Sequence, residues 1–158
     1  MIERSPTALA RANRFSDGEV ARTFLLSGRA RLTLVSEVTG VRFTYRIAQK
    51  CPLQEGPTFP HFVQLLNGPN NESDYQYLGT IFHSELLGKH FASTRASKIS
   101  RQAKSFKAFE YAMKHLLAGN LPPKCEVWHE GRCGKCGRVL TNPSSITIGL
   151  GPTCSGMQ

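Results

Sequence analysis

The run RARLTLVSEVTGVRFTYRI, from Arg29 to Ile47, holds two alternating stretches on either side of a turn. In the first, Ala30, Leu32 and Leu34 fall on one side and Arg29, Arg31 and Thr33 on the other. In the second, Val41, Phe43, Tyr45 and Ile47 oppose Arg42, Thr44 and Arg46. Successive side chains of a β-strand point to opposite faces, so each stretch reads as a strand with one apolar face. Thr39-Gly40 supplies the positive φ that a tight hairpin needs. The expected product is an antiparallel pair with one buried and one wet face. Arg29, Arg31, Arg42 and Arg46 stud the wet face. Like charges directly opposite each other cost roughly 0.2–1 kcal/mol per pair. A face that keeps these arginines therefore points to an anionic partner.

Working outward, ARTFLL before Ser27-Gly28 reads as a preceding strand. HFVQLLNG and DYQYLGTIFH read as two following strands, joined by the turn-forming NGPNNESD. AQKCPLQEGPTFP, with its three prolines, reads as a loop that carries Cys51 as a free thiol. Near Ser105 the period changes. Phe106, Phe109, Met113 and Leu116/Leu117 form one helical stripe that ends at Ala118-Gly119-Asn120. The expected fold class is α+β: an antiparallel β-meander of about five strands with one packing helix, plus a C-terminal zinc knuckle. In this reading residues 1–20 are a mobile arm, 21–120 an α+β domain and 121–158 a zinc-binding module.

The chain of 158 residues has a formal net charge of +9. That charge is patchy: +5 over residues 1–50, −4 over 51–88, +6 over 89–120 and +2 over 121–158. Basic patches are the electrostatic footprint of a nucleic-acid binder. The densest lies in segment 89–107, where Lys89, Arg95, Lys98, Arg101, Lys104 and Lys107 occur without an acid. Ser93, Thr94, Ser97 and Ser100 add small donors suited to phosphate oxygens. Tyr45, Tyr75 and Tyr77 are candidates for stacking on bases. No apolar run reaches the roughly 18–20 residues that span a bilayer, and the N-terminus has no secretory h-region. A cytoplasmic protein is expected, so its cysteines read first as metal ligands.

CGKCGRVLTNPSSITIGLGPTC, from Cys133 to Cys154, supplies three such ligands. Zinc favours four tetrahedral thiolate or imidazole ligands. Cys133 and Cys136 grip from one turn, and Cys154 arrives through a second glycine-rich turn. The fourth ligand is expected to be His129, with Cys125 as the alternative. No thioredoxin-like setting supports a redox pair. His-x-Glu and Pro-Cys-x-x-Cys, which mark the zinc deaminases, are also missing. The zinc is therefore expected to be structural. No paired carboxylates or Ser/His/Asp set are visible, so no enzyme is expected.

The matching residues Cys133, Cys136, Gly137, Arg138, Leu140, Thr141, Pro143, Ser145, Ile146, Gly149, Gly151, Pro152 and Cys154 resemble a family of uncharacterised bacterial and phage proteins with a C-terminal single-zinc module. The resemblance extends upstream through TGVRFTYRI and LLNGPNNESDYQYLGTIF to about residue 22. It implies one His and three Cys ligands, the histidine falling on His129. It also implies a phage or mobile-element setting in a bacterial host, and no activity. Two functions follow as expectations. One is a zinc-stabilised nucleic-acid-binding accessory protein, DNA or RNA, whose contacts are the basic residues above together with Arg132 and Arg138. The other is a small phage-encoded inhibitor, of anti-CRISPR or other counter-defence type, that binds a host protein or nucleoprotein complex. No membrane partner is expected.

Overall fold

The computed structural model describes residues 13–49, 60–70 and 73–155. A six-stranded antiparallel sheet has strand order β5-β4-β3-β2-β1-β6. Its strands are β1 (Arg29–Ser36), β2 (Arg42–Ala48), β3 (His61–Leu66), β4 (Tyr75–Ser84), β5 (Gly88–Ala92) and β6 (Cys125–His129). The helices are α1 (Gly18–Leu25), α2 (Lys104–Leu116), α3 (Pro143–Ile148) and α4 (Pro152–Ser155). Among the described residues, no helix is long and apolar enough to cross a membrane. Cys51 and residues 1–12 lie outside the described residues.

The Arg29–Ile47 hairpin follows its alternation except at Val41, which precedes β2 and is exposed. Ala30, Leu32, Leu34, Tyr45 and Ile47 are buried in the core. Arg31 lies directly opposite Arg46, and Thr33 opposite Thr44. The two threonine hydroxyls share a 2.8 Å hydrogen bond. On the buried face, α2 presents Phe106, Phe109, Met113 and Leu116 to the core. Its position is fixed by the Tyr45 hydroxyl, which donates to the Ser105 carbonyl at 2.7 Å, and by the Tyr45 and Phe109 rings, 4.7 Å apart. Burial raises the Tyr45 pKa, keeping the phenol protonated as that donor.

Three parts of the chain depart from the expected meander. ARTFLL is helical and belongs to α1. Asp17 caps this helix by accepting from the N–H groups of Glu19 and Val20, and Ala21, Phe24 and Leu25 then face the core. The second departure is at the N-terminus. Residues 13–20, expected in a mobile arm, carry the buried Phe15 and the first turn of α1. The Phe15 N–H donates to Val127 O (2.8 Å) and the His129 N–H to Asn13 O (3.0 Å), which covers the outer edge of β6. Third, two further strands exist. Lys89 lies in β5, and Cys125 to His129 form β6, paired with β1. The stretch expected to open the zinc module is thus part of the main sheet.

Beyond β6 the chain turns into a small second core of Cys133, Leu140, Ile146 and Leu150. This core docks on α1 through missing side chains. A Cβ at Gly149 would stand 2.5 Å from the Phe24 ring, and one at Gly134 would stand 2.8 Å from it. The Arg29 N–H donates to Gly134 O at 2.6 Å, and the Gly134 N–H to Gly149 O at 2.9 Å. Gly149 also holds φ at +76° as the C-cap of α3. Gly149→Ala therefore combines left-handed strain with a clash and should destabilise the fold by about 2–4 kcal/mol. Gly40→Ala shares the positive φ with nothing nearby, and should cost only about 1 kcal/mol. Urea midpoints at unchanged m-value check the ranking.

Candidate metal centre and basic cleft

The knuckle is built by backbone bonds. The Leu140 N–H donates to Gly131 O at 2.8 Å, the Cys133 N–H to Arg138 O at 2.8 Å and the Gly137 N–H to Cys133 O at 2.9 Å. Gly137 takes φ +81° as the chain doubles back. The turn brings Cys136 beside Cys133, and α4 delivers Cys154. The ligand atoms of all three lie within 4.8 Å of one another. Two N–H groups from separate segments point at the Cys133 sulfur: Lys135 at 3.4 Å and Gly151 at 3.3 Å.

Those donors set the electrostatics. Burial opposes the Cys133 thiolate, but the N–H groups of Gly151, Cys136 and Lys135 and the Cys136 thiol outweigh it, bringing Cys133 down to about 7. Burial, then the two neighbouring cysteines, push Cys154 up to about 11. Three thiolates this close repel one another, and a cation placed among them removes the conflict. The three sulfurs could hold a metal ion.

Neither expected fourth ligand, His129 or Cys125, belongs to this group of three. His129 is the last residue of β6, points into the core and is 3% exposed. Both of its ring nitrogens are engaged by the main chain. The Gly131 N–H donates to Nδ1 at 2.9 Å, so Nδ1 carries no proton, and Nε2–H donates to Ile146 O at 2.6 Å. The ring also stacks near Phe15 and Phe24, at 5.3 and 5.6 Å. His129 thus ties β6 to α3. Cys125 sits at the far end of β6, opposite Ser36, where burial and then Glu37 push its thiol up to about 11. The alternation Cys125, Val127, His129 inward with Glu126 and Trp128 outward was the signal for a strand. The nearby cysteines obscured it.

The basic candidates divide into groups. Arg29, Arg31, Arg46 and Arg132 line one open cleft of about 590 Å³, together with Ala48, Glu130, Cys136 and Gly137. The sheet's wet face forms one wall and the knuckle the other. Arg132 is held over it by donating to Gly137 O at 3.1 Å. Arg46 is aimed by Gln64, which accepts from Nε at 2.8 Å, and by the Tyr75 ring 4.1 Å beneath its guanidinium. Glu130 approaches Arg31 at 3.9 Å. Arg42 lies further along the sheet, opposite Val35. Lys89 lines a different cleft with Arg22, Glu110 and Lys114. Arg95, Lys98, Arg101, Lys104 and Lys107 are exposed on the connector after β5 and the start of α2. The Lys98 N–H donates to Tyr77 O at 2.9 Å, which lays that connector along β4. Arg138 lines the cleft over the cysteines. Tyr45 is fully buried and is no stacking surface.

Residues 128–156 match the family of unknown function DUF6011. The match covers the knuckle and the end of β6, and the rest of the resemblance read from about residue 22 has no counterpart in it. Its description assigns no activity, metal, phage setting or counter-defence role. No curated protein and no solved structure matches the chain.

A pH dependence follows from the buried histidines. Burial lowers the pKa of His129 and of His61, whose Nε2–H donates to Leu26 O at 2.9 Å and whose Nδ1 is buried without a partner. The unfolded chain takes up these protons near pH 6.5. Each histidine therefore contributes stability that is complete above about 6.5 and lost as pH falls through its folded value. Thermal melts from about pH 8 to about pH 5 should show this loss, and His61→Gln should make it shallower. Equal slopes in the two proteins would reject the assignment of the loss to His61.

Proposed function

We propose that the protein is a basic nucleic-acid-binding accessory protein whose C-terminal knuckle is held by a structural zinc ion. Cys133, Cys136 and Cys154 are the thiolate donors, a set that suits zinc. The observation that carries the reading is the convergence of Arg29, Arg31, Arg46 and Arg132 on one cleft, from two strands and the knuckle. Among the described residues, only Glu130 answers these arginines with a carboxylate there. Planar guanidinium groups held in different orientations suit phosphate oxygens. The connector 93–103 would extend the contact with Arg95, Lys98 and Arg101. The proposed role of the cleft is binding.

Zinc enters this function indirectly. It would fix the Cys133–Cys136 turn, whose Gly137 carbonyl orients Arg132. Binding of single-stranded and duplex DNA and RNA, titrated with salt, tests the proposal. Affinity should fall linearly on a log–log plot, and each of Arg31→Ala, Arg46→Ala and Arg132→Ala should reduce the slope by roughly 0.7–0.9. Chelation should weaken binding about as much as Arg132→Ala does. Salt-insensitive or absent binding to all four polymers would reject the proposal. Retention of one stoichiometric protein without nucleic acid would favour the docking inhibitor, for which the exposed Leu86 and Leu87 of the β4–β5 turn offer a surface.

A further inference from the structure

We infer that the metal centre is a three-thiolate site whose fourth coordination position faces a cleft and accepts a small neutral donor from outside the chain: water at rest, exchangeable for an imidazole nitrogen. The inference deepens the zinc reading above and rests on it.

Two independent observations support it. The first is the ligand inventory. Among the described residues, the only group of three or more candidate donors close enough to share an ion is Cys133, Cys136 and Cys154. The imidazole nearest in sequence, His129, spends its Nδ1 lone pair on the Gly131 N–H and its Nε2–H on Ile146 O. To reach an ion it would have to surrender one of these bonds and leave the ring contacts with Phe15 and Phe24 that anchor β6. The second observation is the space in front of the sulfurs. A cleft of about 700 Å³ is lined by all three cysteines and by Arg138, Thr141, Asn142 and Ser145, among others. Ser145 is 1% exposed, and its buried Oγ has no hydrogen-bond partner. A buried hydroxyl without a partner carries a penalty unless something at the site satisfies it. A solvent molecule on the metal, hydrogen-bonded to Ser145 Oγ, meets both needs at once.

Charge selects the class of donor. A divalent ion with three thiolates already carries one net negative charge, so a neutral oxygen or nitrogen donor is favoured over a fourth anion. Among the described residues, the cleft lining holds no carboxylate and no imidazole. A bound water there has no general base beside it, which separates this centre from a hydrolytic one. In the exchange the incoming imidazole gives its lone pair to the metal, water leaves, and no proton is transferred.

The test uses the full-length protein loaded with cobalt(II), followed by its visible bands and by X-ray absorption. Three sulfurs and one light atom without imidazole scattering are expected. Added imidazole should then shift the bands saturably and introduce imidazole scattering. Ser145→Ala should lower the half-saturating imidazole concentration roughly three- to ten-fold, because the resting water loses its hydrogen bond. Imidazole scattering before any is added, lost in His129→Gln, would overturn the inference by closing the site with His129. Four sulfurs, reduced to three in Cys51→Ser, would overturn it by closing the site with a thiolate. Bands that ignore imidazole, or a half-saturation unmoved by Ser145→Ala, would also count against it. Each of these outcomes leaves the zinc reading standing, whereas failure to bind one equivalent of metal removes both.

Discussion

The contact between the Phe24 ring and the bare backbone of Gly134 and Gly149 holds the two halves of this protein together. Any side chain at either glycine would intrude on the ring. With both absent, the knuckle approaches α1 closely enough for its main chain to join that of β1 through Arg29 and Gly134. His129 reinforces the joint from β6 by donating to Ile146 O in α3. The cysteine turn is thereby a wall of the sheet's wet face. That position gives the turn a structural role: it suspends Arg132 across from Arg29, Arg31 and Arg46.

The wet face carries an electrostatic cost that the fold only partly relieves. Arg31 and Arg46 stand opposite each other in register. Glu130 draws on one, and Gln64 and Tyr75 steady the other. These contacts orient the guanidinium groups, and among the described residues lining the cleft Glu130 is the carboxylate beside the four arginines. The Arg31–Glu130 pair is half-buried and long, at 3.9 Å. A preorganised basic cleft suits the polyanion proposed for it.

Much of this was legible in the sequence. The Arg29–Ile47 alternation specified the central hairpin, its apolar face and its arginine face, and the Phe106–Leu116 stripe specified α2. The three cysteines of the knuckle were readable from spacing alone. What failed had local causes. ARTFLL is too short to separate a strand from a helix by its apolar residues, and the Asp17 cap that decides the matter lies upstream of it. In β6, the cysteines beyond drew residues from 121 onward into the expected zinc module, and His129, expected as a ligand, has both ring nitrogens bonded to the main chain. The convergence of Arg132 with the sheet arginines is a long-range fact. It depends on two glycines fitting one phenylalanine ring, which no local pattern encodes.

The central claim is that the knuckle is joined to the sheet by packing and backbone bonds while the proposed metal would order only its turns. Hydrogen exchange of the protein with and without chelator tests it directly. The account predicts that removing metal exposes the amides of residues 133–140 and of Gly151, while those of α1, β1, β2 and β6 keep their protection. Loss of protection across the whole sheet, or no change in residues 133–140, would contradict it.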